Sequence, residues 1–442
     1  MFTSYADICN YLNDLGLFHM DLSLCRMEKA LDVLNLTTPN FSVVQVVGTN
    51  GKGSTVTFLE SIARAHGLKT GLFTSPHFIS PCERILLNGV HLNTQSWPSL
   101  ANRIYMAVPE LTYFEFLTVL ALLAFSENQV DIAIFEAGLG GHYDATSALK
   151  RDILCITPIS MDHEQILGDT LLSIAEDKAQ AMAENMPVFL ANQEENVLDF
   201  LIKFAHEHNA TLHHANQYEG LKLLKGIVNP FQSLSLQGAH QEENTKLALM
   251  AWDYIAKLNA WPSKVDKISF GLKNAFIAGR LQNIICKEDS LPSRLLLDGA
   301  HNIHSLQILT DYVRKMSHKP SSIIFSCLAD KNIQEMTLIL QELHLLCDYC
   351  PLYITGIQKN NRALSNKEKI LLVEQLKINN DAKDSVFISH ELHETLSIIC
   401  ENNLLDIAPV LICGSLYLLG EFFQKYPHYL MQSAIDEDKY NE

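Results

Sequence analysis

Residues 43–62 read VVQVVGTNGKGSTVTFLESI, and the heptapeptide GTNGKGS at 48–54 decides the fold. Apolar residues precede it, and a segment with Leu59, Ile62 and Ala63 on one face follows, so the stretch reads strand, tight turn, helix. The glycines allow backbone N–H groups to curl around a phosphate. Lys52 adds a point charge, and Ser54 opens the helix and offers its hydroxyl to a metal. The spacing Gly48-x-x-Gly51-Lys52-Gly53-Ser54 is a shortened variant of the phosphate loop G-x-x-x-x-G-K-[ST]. Nucleotide chemistry on an α/β scaffold is the first expectation.

The bulk properties narrow the second substrate. A chain of 442 residues exceeds what one core organises, so two domains are expected. Net charge is −17, from 50 acidic and 33 basic residues, which opposes nucleic acid or an anionic membrane as the main partner. No apolar run approaches the ~20 residues of a membrane span. The N-terminal MFTSYADICNYLND lacks a basic flank and a signal-like core. The ten cysteines are scattered, mostly in apolar runs, as in a reducing compartment, and a cytoplasmic protein is expected. The single C-x-x-C, Cys347 to Cys350, has no second pair at zinc-site spacing.

Working outward, 41–47 and 70–73 read as strands, 54–66 and 113–126 as helices, and Pro76 and Pro81 mark TSPHFISPCERILLNGV as loop. VDIAIFEAGLGG and DILCITPIS are buried strands that stop at Glu136 and at Asp162-His163. Sites of doubly wound sheets gather at such carboxyl ends. From Arg294 the pattern restarts, with RLLLDGAH, SSIIFSCLAD, CDYCPLYIT, DSVFISHE and APVLICGS all strand-like. A boundary after 277 then separates an N-terminal domain, 1–277, from a C-terminal one, 278–442. His206, His208, His213 and His214 lie in the polar stretch KFAHEHNATLHHANQ and read as solvated surface.

The motifs GTNGKGS, FTSPH with ERI, LTYFEF, GLGG with DAT, MDHEQILGDTL, IAEDKA, HQEEN, AGR, DGAHN, LADK and GSLYLLGE, in this order, resemble the Mur ligase superfamily of ATP-dependent amide ligases. Within it the likeness is to folylpolyglutamate synthase, most narrowly the bifunctional bacterial dihydrofolate synthase/folylpolyglutamate synthase. The resemblance implies an N-terminal phosphate-loop ATPase domain with a mostly parallel sheet and a smaller, Rossmann-like α/β C-terminal domain. It also implies ATP and Mg²⁺ as cofactors, with dihydropteroate, reduced folates and L-glutamate as substrates. A monomer is expected. The alternatives are a cell-wall ligase of the same superfamily and a nucleotide-binding regulator without catalysis.

Site residues follow from the resemblance. Gly51, Lys52, Gly53 and Ser54 would hold the phosphates, with Asn244, Arg280 and Asp298 completing the nucleotide site. Ser75, Glu136 and His163 are the implied metal ligands. Lys178 matches a lysine that is carbamylated in the family; here Glu176 and Asp177 precede it, and carboxylates are expected to favour its charged form. Lys52, Lys178 and His301 are the implied catalytic residues. The folate side falls to His19, Met20, Asp21 and Leu22, to Thr112, Tyr113, Phe114 and Glu115, and to Tyr143, Asp144 and Ala145. Ser415 and Tyr417, with His301, would receive glutamate in a cleft between the domains. GGHYDATS has His142-Tyr143 where the family has arginine and leucine, and Ile277-Ala278 replace the family's W-P before Gly279-Arg280.

Overall fold

In the computed structural model, residues 1–16, 22–218, 234–358, 360–378, 384–402 and 408–431 are described. The chain divides into two compact units, one of Met1–Ser235 with His240–Ala275, the other of Leu236–Ala239 with Phe276–Glu442.

The first unit is built on β1 (Ser42–Val47), β2 (Thr70–Phe73), β3 (Ile85–Leu87), β4 (Val90–His91), β5 (Ile132–Glu136), β6 (Ile153–Ile156), β7 (Pro187–Leu190) and β8 (Thr211–His214). They form one sheet in the order β4-β3-β2-β5-β1-β6-β7-β8, parallel from β2 to β8. Its helices are α1 (Tyr5–Leu15), α2 (Cys25–Val33), α3 (Lys52–Ala65), α4 (Trp97–Ala107), α5 (Tyr113–Glu127), α6 (Glu164–Leu167), α7 (Leu171–Ala179), α8 (Glu195–Glu207), α9 (Gln241–Leu258) and α10 (Val265–Lys273). Every residue of β1 is buried, because helices cover both faces of a parallel sheet and leave no side for alternation. Helix α5 is apolar almost all round and buried from Glu115 to Phe125, so it lies inside the core, with Phe116 and Phe125 packed among Phe73 and Phe135.

The segment expected to be loop through residue 90 is not loop throughout. Irregular chain ends near Pro81, and β3 and β4 form an antiparallel hairpin on the sheet edge. Its turn is Asn88-Gly89, with φ of 52° and 76°, the left-handed pair that a two-residue hairpin needs. The Asn-Gly dipeptide was the available signal, outweighed by the prolines before it. A second correction concerns the histidines: His213 is half-buried and stacks on Phe189 at 4.8 Å, because β8 carries it onto the sheet. Burial lowers its pKa.

The second unit has β9 (Gln282–Ile285), β10 (Arg294–Leu297), β11 (Ser322–Phe325), β12 (Leu352–Ile354), β13 (Val386–Ile388) and β14 (Val410–Cys413) in the order β13-β12-β11-β14-β10-β9. All pair in parallel except β9, which runs antiparallel to β10 at the edge. The helices between them are α11 (Ile303–Lys315), α12 (Ile333–Leu346), α13 (Asn366–Leu376), α14 (Leu392–Asn402) and α15 (Leu416–Lys425). The strand order reverses between β11 and β14, which makes their carboxyl ends the natural crevice of this sheet. Among the described residues, no helix is long and apolar enough to cross a membrane.

Candidate active site

Strand β1 delivers the chain into a turn that only glycine can make at two points. Gly48 has φ of 136° and Gly51 of 89°. A Cβ on Gly48 would stand 2.0 Å from the Thr157 hydroxyl, and one on Gly51 2.2 Å from Asn244 Oδ1. The loop is also tied to the segment after β6: Thr49 N–H and Asn50 N–H both donate to Pro158 O, and Asn50 Nδ2 donates to Ser160 Oγ at 2.8 Å. Gly51 then caps α3, whose first residues are Lys52, Gly53 and Ser54. Lys52 Nζ curls back and donates to Gly48 O and Thr49 O, both at 3.1 Å. Asn244, buried on α9, donates through Nδ2 to Gln241 Oε1 and keeps its Oδ1 against the loop.

Lys178 reaches the same place from another element. It is buried on α7, and its Nζ donates to Gly48 O at 3.0 Å, so two ammonium groups share one carbonyl. Burial pushes its pKa down to about 7, helped by the Lys52 charge, while Asp177, Asp162 and Asp144 pull the other way. Against the sequence expectation, desolvation outweighs the carboxylates. Asp177 itself holds backbone, accepting the Gly141 N–H at 2.8 Å, and a Cβ on Gly140 would meet it at 2.2 Å. The acidic residue before the lysine thus fastens the glycine loop onto α7.

Glu136 ends β5 in register with Val46 of β1, one pair short of the phosphate loop. It is buried, and its carboxylate accepts the Ser75 N–H at 3.0 Å. The buried carboxylate thus stands at the strand end beside the Ser75 backbone, a hard oxygen donor of the kind a magnesium ion takes. His163 is exposed and left-handed (φ 53°) at the N-terminus of α6. Among the described residues no group of three or more His, Cys, Asp and Glu side chains could hold a metal ion.

Two carboxylates expected to meet substrate are engaged within the protein. Asp144 is buried and accepts from Gly138 N–H at 2.7 Å, Leu139 N–H at 3.0 Å, and the N–H and hydroxyl of Thr146 at 3.0 and 2.5 Å. Four donors occupy this carboxylate within the protein, so Asp144 shapes the glycine loop. Asp144→Asn sets an amide N–H against backbone donors and is expected to destabilise the fold by about 1–3 kcal/mol, read from the urea midpoint. Thr146 continues the chain of contacts to Gln45, buried in β1, whose Nε2 donates to it at 2.7 Å. Gln45 in turn accepts from Arg151.

Glu115 is the other. It closes a capping box with Thr112 and forms a two-pronged pair with Arg26 of α2, at 3.0 Å from Nε and 2.9 Å from Nη2. Arg26, within MDLSLCRM, was missed as a partner, because nothing in the sequence says which carboxylate it faces. Arg26→Met leaves a buried carboxylate short of its counter-charge and is expected to cost about 3–5 kcal/mol in chemical denaturation. The residues between are packed rather than paired. Phe114 lies where a Gly138 Cβ would stand, 2.7 Å away, and Tyr113 is buried under the Arg84 guanidinium at 5.6 Å. Arg84 Nε donates to His77 Nδ1 at 2.8 Å, and burial with that charge lowers the His77 pKa to about 3. The N-terminus of α5 is thus a hub joining α2, the TSPH–ERI segment and the glycine loop. Tyr143 is exposed and stacks on His142 at 3.9 Å, Ala145 is buried, and Leu22 is exposed. His19, Met20 and Asp21 lie outside the described residues.

In the second unit, buried Asp298 ends β10 and accepts from Leu281 N–H at 2.8 Å and Ala300 N–H at 2.9 Å. Burial raises its pKa, opposed by the Arg280 charge, which places those two expected nucleotide residues together. His301 Nδ1 lies 2.7 Å from Gly299 O, so Nδ1 donates to that carbonyl. Ser415, buried after β14, caps α15 by accepting the Tyr417 N–H at 3.1 Å.

The comparisons with known proteins agree with this geometry. Residues 46–252 match the Mur ligase middle domain, and residues 282–425 match the dihydrofolate synthetase C-terminal domain. The dihydrofolate synthase/folylpolyglutamate synthase of Bacillus subtilis is 32% identical over 359 residues, covering 76% of this chain and 82% of that protein. The dihydrofolate synthetase of Saccharomyces cerevisiae is 26% identical over 431 residues, covering 93% and 99%. The structure of E. coli FolC in complex with DHPP and ADP superposes with a TM-score of 0.80 at 25% identity, covering 96% of this chain and 98% of that one. With a phosphate loop whose lysine meets a buried second lysine, a strand-end carboxylate and a second α/β unit, the chain belongs to the dihydrofolate synthase/folylpolyglutamate synthase family of ATP-dependent ligases that form a C–N bond.

Proposed function

We propose that this enzyme carries both activities of the family, adding L-glutamate to dihydropteroate and further glutamates to reduced folates. The observation that supports the chemistry best is the meeting of Lys52 and Lys178 on Gly48 O, beside the Ser75–Glu136 contact. A carboxylate is a poor electrophile, so an oxygen of the folate-side carboxylate takes the γ-phosphoryl group of ATP, with ADP leaving. The glutamate amine then attacks the acyl carbon and displaces phosphate, losing a proton as the amide forms. Both steps need charge held in place more than they need covalent help from the protein. Lys52 supplies that charge from the loop, and Lys178, neutral in part near pH 7, is suited to take up CO₂ and become an anion. Ser75 and Glu136 fit Mg²⁺, which when bound neutralises phosphate charge; His163 as a third ligand rests on the resemblance.

Support for use of dihydropteroate comes from the Arg26–Glu115 pair. It anchors the helix after MDLSLC to the LTYFEF segment, as a pterin site built from both would require. The ten free thiols suit a reducing compartment, and we place the enzyme in the cytoplasm as a monomer. The deciding test is glutamate-dependent phosphate release from ATP with dihydropteroate, tetrahydrofolate or a UDP-muramyl substrate. Release with both folate-side substrates is expected. Release with tetrahydrofolate alone would leave only the folylpolyglutamate synthase half, and release with the muramyl substrate would overturn the folate reading.

A further inference from the structure

The C-x-x-C at 347–350 is not among the ligase residues, and the fold gives it a definite geometry. Helix α12 ends at Leu346, and Cys347-Asp348-Tyr349-Cys350 makes the turn that leads into β12. Cys350 N–H donates to Cys347 O at 3.0 Å, which closes a β-turn with a cysteine at each end. Asp348 and Tyr349 are both left-handed, with φ of 51° and 53°. Two such positions in a row suit glycine or asparagine, and a tyrosine is held there against its own preference. His344 does the holding. Buried on α12, its carbonyl accepts the Tyr349 N–H at 3.0 Å and its Nε2 donates to Cys350 O at 2.8 Å. The Tyr349 ring meets the imidazole edge-on at 5.3 Å.

This strained turn sets two thiols against each other. The ends of a β-turn lie within about 7 Å, Cα to Cα. A disulfide spans about 4.4–6.8 Å between the same atoms. The thiols already touch, since the Cys350 side chain hydrogen-bonds to that of Cys347. Cys347 is buried in the core of the second unit, whereas Cys350 is partly exposed. One sulfur can therefore meet a small reagent while the other stands behind it.

We propose that Cys347 and Cys350 form a thiol–disulfide modification site whose reactant is a low-molecular-weight disulfide. In the first step the Cys350 thiol, losing its proton to water, attacks one sulfur of the reagent, breaks its S–S bond and releases one thiolate. Cys347, losing its own proton, then attacks the Cys350 sulfur of the mixed disulfide and releases the second thiolate. One S–S bond forms for the one broken, and the two protons end on the two released thiols. The protein is oxidised by two electrons and the reagent reduced by two. A reducing compartment keeps the pair as thiols at rest, so the disulfide is a transient response to oxidation. The Cys347 hydrogen bond and burial hold the Cys350 thiol above its usual range. The first step is accordingly slow at neutral pH and quickens as pH rises.

The test treats the full-length protein with oxidised glutathione at about pH 8, quenches with acid, and alkylates the remaining thiols in denaturant. Peptide mass spectrometry is expected to find Cys347 and Cys350 joined in most chains, with the other eight of the ten cysteines not joined to one another. Dithiothreitol is expected to return the pair to thiols. Cys347→Ser removes the resolving sulfur, so Cys350 should retain glutathione at least about tenfold more than in the wild type. Cys350→Ser should take up none at Cys347, which is buried. The wild-type measurement decides the matter even where a variant does not fold. Recovery of both wild-type cysteines alkylated, or of a lasting glutathione adduct on Cys350, would overturn the site. So would Cys347 joined instead to Cys413, its neighbour in the same core.

Discussion

Lys52→Ala is expected to lower turnover at least about a hundredfold, a loss of about 2.7–4 kcal/mol of transition-state stabilisation, while the protein still folds. The fold should survive because the Lys52 ammonium holds loop carbonyls, Gly48 O and Thr49 O, at 3.1 Å. Those carbonyls keep other support: the loop is held by the N–H groups of Thr49 and Asn50 on Pro158 O. The chemistry should not survive, because phosphoryl transfer depends on charge aimed at the phosphates in advance. Lys52→Arg is not expected to restore it, since a planar fork cannot place a compact charge where Nζ sits. Steady-state phosphate release and a thermal melt together check both halves. Near-normal turnover would remove the phosphate-loop reading.

Lys178 gives the second large effect. Lys178→Ala is expected to be inactive and partly rescued by a small added carboxylate standing in for the carbamate. A carbonyl signal from ¹³C-bicarbonate should appear in the wild type and be absent in the variant. Full activity in enzyme shown to be free of CO₂ would sink the carbamate and leave the ligase assignment in place. The pH dependence of stability follows from the same group. Its pKa is about 7 in the folded protein against 10.5 unfolded, so between those values the unfolded chain binds the extra proton. Stability must then rise with pH across that window. Below it the folded protein has to hold a buried, repelled ammonium. Lys178→Met escapes that cost, so the variant should melt above the wild type near pH 6, with the gap shrinking as pH rises toward 10.

Much of this protein is legible in its sequence because parallel strands covered on both faces are continuous apolar runs. SVVQVV, IAIFE and ILCI announce themselves, and a polar residue such as Glu136 ends the run at the carboxyl edge of the sheet. Glycines forced by a turn are equally local: Gly48 and Gly51 are required by the backbone path itself. The edge elements were harder to see. β9 pairs along one side only and alternates weakly, and the β3–β4 hairpin is short and follows two prolines.

Tertiary structure alone decided which charges meet. Asp144 and Glu115 carry motif positions that invite a substrate, and within the protein they accept from Gly138, Leu139 and Thr146 in one case and from Arg26 and Thr112 in the other. Arg26 and Glu115 are 89 residues apart, and no spacing rule spans that distance. The state of Lys178 shows the same divide. Sequence places two acids before it and suggests a charged amine. The fold removes water and brings Lys52 to the same carbonyl, and desolvation with like charge outweighs what the neighbours offer. Sequence by itself determined the strands, the phosphate loop and the family, because these are local patterns of polarity and backbone freedom. Only the folded chain decided protonation and pairing, because those depend on what is excluded from water and on which distant groups are brought within a few ångströms.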